Sequence, residues 1–232
     1  MQLNADFSQR AAVHAAQLEW IASPMAGVER RMLDRIGTEV ARATSLVRYA
    51  PDSVFSPHVH GGGEEFLVLD GVFSDEHGDY GPGSYIRNPP TSSHTPGSKP
   101  GCVIFVKLWQ FDPDDRNPVR IAADQATLMP AQDRPGVQLT PLYQDSHESV
   151  RIEHWSGAAQ IALAAPGGIE VLVLDGSFDE GGEQFIAQSW LRLPPGTTLN
   201  ANAGPDGCRV FVKSGHLATP RGLPAPAQAD PS

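Results

Sequence analysis

Cysteine is almost absent from this sequence, which has only Cys102 and Cys208 among its 232 residues. Two cysteines cannot build a disulfide framework, and neither has a second cysteine nearby at the spacing of a zinc knuckle. We therefore interpret both side chains as structural thiols.

Long apolar runs and an excess of positive charge are also absent. No stretch approaches the roughly 18 apolar residues that cross a bilayer, and the first 20 residues lack the basic-then-apolar order of a secretory signal. Lysine and arginine number 17 against 27 acidic residues, which gives a formal charge of −10 and a pI near 5.1. This balance argues against a nucleic-acid or anionic-membrane partner. We expect a soluble cytoplasmic protein without either partner.

Helix signals are few, whereas turn residues are many. The 23 glycines and 21 prolines separate short β-rich runs, a pattern typical of an all-β barrel or sandwich. Only residues 8–20 (SQRAAVHAAQLEW), with Ser8 as a cap, predict a helix. The Pro- and Ala-rich end of the chain has too few bulky side chains to pack, so we predict disorder over residues 219–232.

One segment of the chain recurs at a shift of 105 residues. Residues 65–71 (EFLVLDG) match 170–176 (EVLVLDG), residues 84–90 (SYIRNPP) match 189–195 (SWLRLPP) and, after one inserted residue, 102–107 (CVIFVK) match 208–213 (CRVFVK). Self-similarity of this kind predicts two copies of one β-domain. The polar, Pro-rich residues 112–136 predict the boundary between them.

Two histidines, three glycines and a glutamate precede the first of the repeated strands. His58 and His60 are alternate residues of an extended segment, so their side chains project to the same side. The glycines turn the chain, which is expected to return Glu64 toward the pair, and His94 follows a strand that crosses back to the same end. Three imidazoles and a carboxylate suit iron, manganese, nickel or zinc, and suit calcium or magnesium poorly. The set therefore indicates a candidate site for one divalent metal ion.

The same residues resemble two motifs of the cupin superfamily. Residues 58–71 (HVHGGGEEFLVLDG) resemble the first motif, and residues 83–94 (GSYIRNPPTSSH) resemble the second, with Thr91 where glycine is usual. Residues 64–96 further resemble the cupin domain of ChrR-type anti-sigma factors and their relatives, which include acetylacetone dioxygenase. In that family the matching positions bind a single divalent metal, which here implies the ligands His58, His60, Glu64 and His94.

The resemblance also implies a fold and a division of the chain. It is strong over residues 20–112 and continues over residues 136–216 as a divergent copy. We expect an all-β protein of two tandem cupin (jelly-roll) barrels with a short N-terminal helix. The expected parts are an N-terminal helical segment (1–20), a metal-binding cupin barrel (21–115), a linker (116–136), a degenerate barrel without metal ligands (137–218) and a disordered tail (219–232).

The repeat tests the ligand assignment independently of the family. Glu65 keeps its match in Glu170, whereas an unpaired carboxylate at the position of Glu64 would cost a metal-free barrel several kcal/mol. We therefore predict that Glu64 is the ligand, that Glu65 is structural and that the second barrel binds no metal. The positions that lie 105 residues after the four proposed ligands are all apolar: Leu163, Ala165, Ile169 and Leu199.

Simpler interpretations exist for each polar residue taken alone. The two histidines of residues 58–60 could lie on a surface strand by chance, but the joint loss in the repeat disfavours this. The acidic segment 74–83 (SDEHGDYGPG) is rich in glycine and proline and predicts a solvated hairpin turn rather than ligands. The spacing does not fix which way Tyr85, Arg87 or Trp109 points. The remaining histidines lack a partner set and are interpreted as surface or core residues: His14, His147, His154 and His216.

Two functions remain open for a metal held in this way. As an enzyme, with iron(II) favoured over zinc, manganese or nickel, the protein would bind a small diketone or hydroxyketone and dioxygen at open coordination positions and cleave a carbon–carbon bond. The resemblance to acetylacetone dioxygenase implies this chemistry, with Glu64 as ligand or base. The alternative is a ChrR-like sensor or small-ligand-binding protein that holds zinc and does no catalysis.

Two further expectations concern partners and structural metal. A closed zinc site that only stabilises the barrel is a third interpretation of four protein ligands. ChrR-type factors grip their sigma factor with a zinc-binding helical domain, and only about 20 residues without cysteine precede the first barrel. We therefore expect no sigma-factor partner, while a homodimer stays open.

Overall fold

The structure of the protein, a computed structural model, describes residues 1–38 and 40–222, and its regular elements are β-strands apart from two short 3₁₀ turns. The glycine and proline breaks explain the short strands, because each break ends one strand before the next begins. The strands before residue 110 are β1 (Gln2–Leu3), β2 (Ala11–His14), β3 (Ile21–Ala22), β4 (Val28–Gly37), β5 (Ala41–Tyr49), β6 (Ser53–Val54), β7 (His58–Val59), β8 (Glu64–Gly71), β9 (Phe73–Asp75), β10 (Gly78–Tyr80), β11 (Tyr85–Asn88), β12 (Ser93–His94), β13 (Gly97–Ser98) and β14 (Cys102–Leu108).

The later part of the chain contains several longer strands. Single turns of 3₁₀ helix lie at Ala15–Gln17 and Ala123–Gln125, and no helix of the described residues is long and apolar enough to cross a membrane. The later strands are β15 (Val119–Ile121), β16 (Met129–Pro130), β17 (Val137–Gln144), β18 (Ser149–Trp155), β19 (Gln160–Ala165), β20 (Ile169–Glu180), β21 (Glu183–Ile186), β22 (Ser189–Leu193) and β23 (Thr197–Ser214).

The strands form antiparallel sheets in two halves, which confirms the all-β prediction. The main sheet of the N-terminal half (residues 21–112) runs β1-β4-β5-β14-β8-β11-β15, with the edge strands β1 and β15 added from outside that range. A second sheet, β10-β9-β13-β6, packs on it through Phe66 and Phe73. In the C-terminal half (residues 137–218) the order is β16-β17-β18-β23-β20-β22-β2, with β19 on β23, β21 on β20, and the edge strands β16 and β2 added from outside that range. The ladders of the described residues do not close into a ring, so barrel closure is not seen.

Three apolar clusters fill the interior and follow from alternation along the strands. One lies inside the N-terminal half and includes Phe66, Phe73 and Ile104. Another lies inside the C-terminal half and includes Phe178 and Phe185. The third joins the halves, and its buried members include Leu33, Leu46, Leu67, Tyr85 and Phe105 on one side and Leu142, Val150, Ile152, Leu172, Trp190 and Phe211 on the other.

The predicted N-terminal helix is wrong. Its centre, Ala11–His14, is strand β2, which pairs with β22 of the C-terminal half, and a single 3₁₀ turn (Ala15–Gln17) follows it. Its alanines favour a helix, but Ala11 and Ala15 are buried in the cluster between the halves, and this packing outweighs propensity. The hydroxyl of Ser8, the predicted cap, donates to Asp6 instead.

The segment after the N-terminal half, which was predicted as a linker, also contributes a strand to a sheet. Strand β15 lies within residues 116–136, yet it pairs with β11 of the N-terminal half. Each half thus receives an edge strand from the segment that leads into the other half. Of the predicted disordered tail, residues 223–232 lie outside the described residues.

Candidate metal centre

A short antiparallel ladder holds the predicted histidines together. Strand β7 pairs with β12 so that His58 lies opposite His94. The ladder continues past β7, because the amide of His60 donates to the carbonyl of Ser92 and the amide of Thr91 donates to the carbonyl of His60, both at 2.9 Å. Backbone pairing therefore fixes the first motif against the second before any ion binds.

The three imidazoles converge at one end of the N-terminal half. One ring nitrogen from each of His58, His60 and His94 lies within 4.8 Å of the others, and the ring centroids are 4.7 to 5.0 Å apart. His60 and His94 are buried, with 7% and 2% of their surface exposed, and His58 is the most exposed of the three. This arrangement gives a three-nitrogen site with one side toward solvent.

Glu64 lies beside the three rings as the first residue of β8. Its Oε2 is 3.7 Å from Nε2 of His60 and 3.6 Å from Nε2 of His94. The side-chain amide of Asn88, which lies opposite Glu64 in the β8–β11 register, donates to the same oxygen at 3.4 Å. The structure therefore brings together all four residues that the cupin-like motifs named.

The glycines between the histidines and Glu64 are needed for close packing as well as for the turn. A Cβ at Gly62 would lie 2.2 Å from the ring of Trp109, and a Cβ at Gly63 would lie 2.4 Å from the ring of Phe111. Gly63 also has a φ of +77°, in the left-handed region that favours glycine. The aromatic side chains after β14 thus press directly on the loop that carries the proposed ligands.

The unpaired polar atoms at this site fit a bound cation. Nε2 of His60 is buried and has no hydrogen-bond partner, which a folded protein usually avoids. Burial lowers the pKa of His60, and the nearby Glu64 only partly opposes this, so the ring is neutral and its lone pair is available. Neutral imidazoles with one carboxylate suit a divalent transition metal or zinc.

Asp75 is a site residue that the sequence analysis missed. The acidic turn was expected to be solvated, but the carboxylate of Asp75 is fully buried, and its Oδ2 lies 3.4 Å from Nδ1 of His94. Neither atom has a hydrogen-bond partner in the structure. Burial alone would raise the pKa of Asp75, but its interactions with His94 and the amide of His77 lower it overall, so it is a carboxylate facing the far side of a proposed ligand.

Comparison with known proteins agrees with this architecture. Residues 8–112 match the family described as ChrR Cupin-like domain. The structure is similar to that of a "putative dioxygenase" from Nostoc punctiforme, with a TM-score of 0.73 and 15% identity over 96% of this chain and 88% of that one. A cupin 2 conserved barrel domain protein from Leptotrichia buccalis gives a TM-score of 0.57 at 14% identity over 91% of this chain and 98% of that one.

The protein has the cupin fold. A third similar structure is HEPD of Streptomyces albus with Fe(II) and 2-hydroxyethylphosphonate bound, at a TM-score of 0.62 and 10% identity over 92% of this chain and 77% of that one. No curated protein matches the sequence. Identities this low establish the fold alone, so the chemistry of this protein must be argued from its own site.

The C-terminal half of the protein reproduces the ladder without the ligands. Leu163 pairs with Leu199 between β19 and β23, in the register that His58 and His94 occupy between β7 and β12. Ile169, at the position of Glu64, is fully buried in the apolar cluster of this half. Among residues 1–38 and 40–222, a group of side chains suited to a metal is found only at the three histidines.

The other residues that the sequence analysis discussed make contacts outside the cluster of three histidines. The side chains of Tyr85 and Arg87 point toward the C-terminal half, and Trp109 lies against the glycine loop. His14 contacts Glu183 at 2.8 Å. His216 is buried, and its Nε2 contacts Glu170 at 2.9 Å.

Proposed function

We propose that the N-terminal half binds one divalent metal ion through His58, His60, Glu64 and His94, and that the protein is an iron(II)-dependent dioxygenase. The proposed substrate is a small diketone or hydroxyketone that binds the metal through its oxygens. The observation that carries the proposal is the buried, unpartnered Nε2 of His60 beside two further imidazoles and a carboxylate.

Two features favour oxygen chemistry over a purely structural ion. His58 leaves one side of the site open, which gives a small substrate access. The similar folds of a "putative dioxygenase" and of HEPD with Fe(II) bound support the choice of iron and of dioxygen as the oxidant. Manganese, nickel and zinc remain compatible with the same donor set.

The residues of the chain have separate roles in this proposal. A bound metal ion would supply Lewis acidity and open positions for substrate and dioxygen. The three imidazoles would hold the ion, and Asp75 would orient the ring of His94. Glu64, as ligand or base, takes the proton that an enolisable substrate loses. The apolar cluster behind the site, where Phe73 lies 5.7 Å from the ring of His94, keeps water away from the buried side.

A sensor or small-ligand-binding protein with bound zinc is the second candidate. The match of residues 8–112 to the ChrR Cupin-like domain favours it. In that case the same four side chains would hold zinc, and no dioxygen would be consumed.

Metal analysis and oxygen uptake test both candidates. The protein is purified with and without air, its metal content is measured, and oxygen consumption is followed with a panel of diketones and hydroxyketones. Iron with substrate-dependent uptake supports the dioxygenase, whereas tightly bound zinc without uptake supports the sensor. His60→Ala should lose the metal and His154→Ala in the other half should keep it, and equal metal content in the two variants would contradict the site.

A further inference from the structure

The two strands that carry Glu64 and Asn88 are held from behind by the other half of the molecule. Neighbouring residues of a strand point to opposite faces. Glu64 and Asn88 face the three histidines, so Glu65 and Arg87 face the C-terminal half, and these two pairs lie opposite each other in the β8–β11 register. The back of the proposed metal site is therefore a contact surface between the halves.

Side chains from the C-terminal half bind both backing residues. The ammonium of Lys213 contacts the carboxylate of Glu65, which also accepts a hydrogen bond from the hydroxyl of Tyr85 at 2.7 Å. Lys213 further contacts Glu148 at 2.9 Å, and Glu148 lies 3.7 Å from the guanidinium of Arg87. All of these side chains are buried, so water does not loosen the network.

The repeat supplies a second network of the same kind at the apolar site. Lys107, which matches Lys213, reaches from the N-terminal half to Glu170 at 2.5 Å, and the indole of Trp190 donates to Glu170 at 3.2 Å. Glu170 lies directly after Ile169, where no ligand is present. The two lysines are equally buried, at 1% exposure. They differ in the position of the glutamate that they contact: Glu65 lies on β8 beside Glu64, whereas Glu170 lies on β20 beside Ile169.

We infer that Lys213 is a positioning residue for the metal centre and acts through Glu65 on Glu64. By holding β8 from behind, Lys213 fixes how far the Glu64 carboxylate extends toward His60 and His94. Glu148 positions Asn88 in the same way, through its contact with Arg87. This inference rests on the proposed metal site. If Lys213 has this role, the metal-free half contributes to the geometry of the metal site in the other half.

The test compares Lys213→Met with Lys107→Met in the full-length chain. Each variant removes one buried ammonium from the junction between the halves, where Lys213 contacts Glu65 and Glu148 and Lys107 contacts Glu170. A role only in holding the halves together therefore predicts similar effects of the two variants on metal binding. We expect the dissociation constant for Co²⁺, measured by competition with a chelator, to rise on the order of tenfold or more in Lys213→Met, as for other groups that orient metal ligands. The visible spectrum of the bound Co²⁺ should also change. Lys107→Met should keep the affinity and spectrum of the unaltered protein.

A milder pair covers the case in which a methionine variant does not fold. Glu148→Gln and Asp34→Asn each remove one charge at the buried junction, but only Glu148 lies on the network behind Asn88, whereas Asp34 contacts Arg192 at 3.1 Å. Weaker Co²⁺ binding in Glu148→Gln alone supports the inference. Equal affinities within each pair would overturn it, whereas failure of the unaltered protein to bind Co²⁺ would overturn the proposed metal site itself.

Discussion

A single buried contact, between Asp75 and His94, bears on the orientation of one of the proposed metal ligands. A carboxylate on the far ring nitrogen of a metal-binding histidine fixes its tautomer and orientation and makes the other nitrogen a better ligand. Oδ2 of Asp75 and Nδ1 of His94 are both buried and both lack another partner. A ring that turned away would lose the contact between its Nδ1 and Oδ2 of Asp75, so this contact favours one orientation of His94 before an ion arrives.

Asp75→Asn tests this contact. The amide keeps the size of the side chain but loses the charge, so we expect the dissociation constant for a divalent metal to rise by roughly 10- to 100-fold. Chelator competition with Co²⁺ measures the change. Asp79→Asn alters an exposed carboxylate of the same turn and serves as the control. Metal affinities that are the same in the two variants would show that Asp75 does not orient His94.

The residues of the site differ in how far the sequence reveals them. Motif spacing and the repeat named His58, His60, Glu64 and His94, because ligands at fixed positions leave a pattern that a metal-free copy loses. Asp75 left no such pattern. It lies in a segment rich in glycine and proline, and its side chain is buried at the end of β9, a strand that pairs with both β10 and β13.

At the scale of elements, the loop of residues 61–63 connects the histidine pair to Glu64 under close aromatic packing. Trp109 has a φ of +59°, a left-handed conformation that costs a residue with a large side chain roughly 1–3 kcal/mol. That backbone places its ring against Gly62. Packing elsewhere in the fold offsets this strain and holds the ligand loop in one position.

Gly62→Ala should disturb the metal centre through this packing. The added Cβ has no room beside the Trp109 ring, so the loop must move, with a loss of roughly 1–3 kcal/mol in the free energy of unfolding and weaker Co²⁺ binding. Gly81→Ala, where nothing lies within 4 Å of the added atom, is the control. Trp109→Ala in the same chain as Gly62→Ala should restore Co²⁺ binding. If it does not, the ring is not the obstacle.

Strands with local sequence signals were predicted correctly, whereas strands that depend on distant partners were not. Repeated β-rich runs predicted the main strands, because alternation and breaks are local signals. Strand β2 was predicted as a helix, since its alanines carry a local preference and its partner β22 lies about 180 residues away in sequence. Strand β15 was hidden in an apparent linker for the same reason. Pairing between distant segments leaves no local trace in either strand.

At the scale of the whole molecule, the halves exchange edge strands and buried charges. Lys107 and Lys213 each pair with a glutamate of the other half, and Phe105 and Phe211 meet between them with ring centroids 5.3 Å apart. Removing one partner of a buried pair typically costs about 3–5 kcal/mol. A change at this junction should therefore destabilise both halves together.

His216 lies at this junction and makes its stability depend on pH. Burial lowers the pKa of His216 to about 3 from its usual 6.5, although Glu170 opposes the shift. The neutral ring donates one N–H toward the Glu170 carboxylate, whose own pKa is held down, against the effect of burial, chiefly by Lys107. Below pH 6.5 the unfolded chain takes up a proton at His216 that the folded chain does not, so stability falls as the pH falls.

His216→Gln should remove this pH dependence while it keeps a donor for Glu170. Between pH 6.5 and about 3 the unaltered protein should lose about 1.4 kcal/mol more per pH unit than the variant, because one additional proton binds on unfolding. Urea unfolding at about pH 6.5, 5.5 and 4.5 gives the two slopes. Parallel slopes would mean that His216 takes up its proton equally in the folded and unfolded chains. Any loss of stability in acid would then come from other groups.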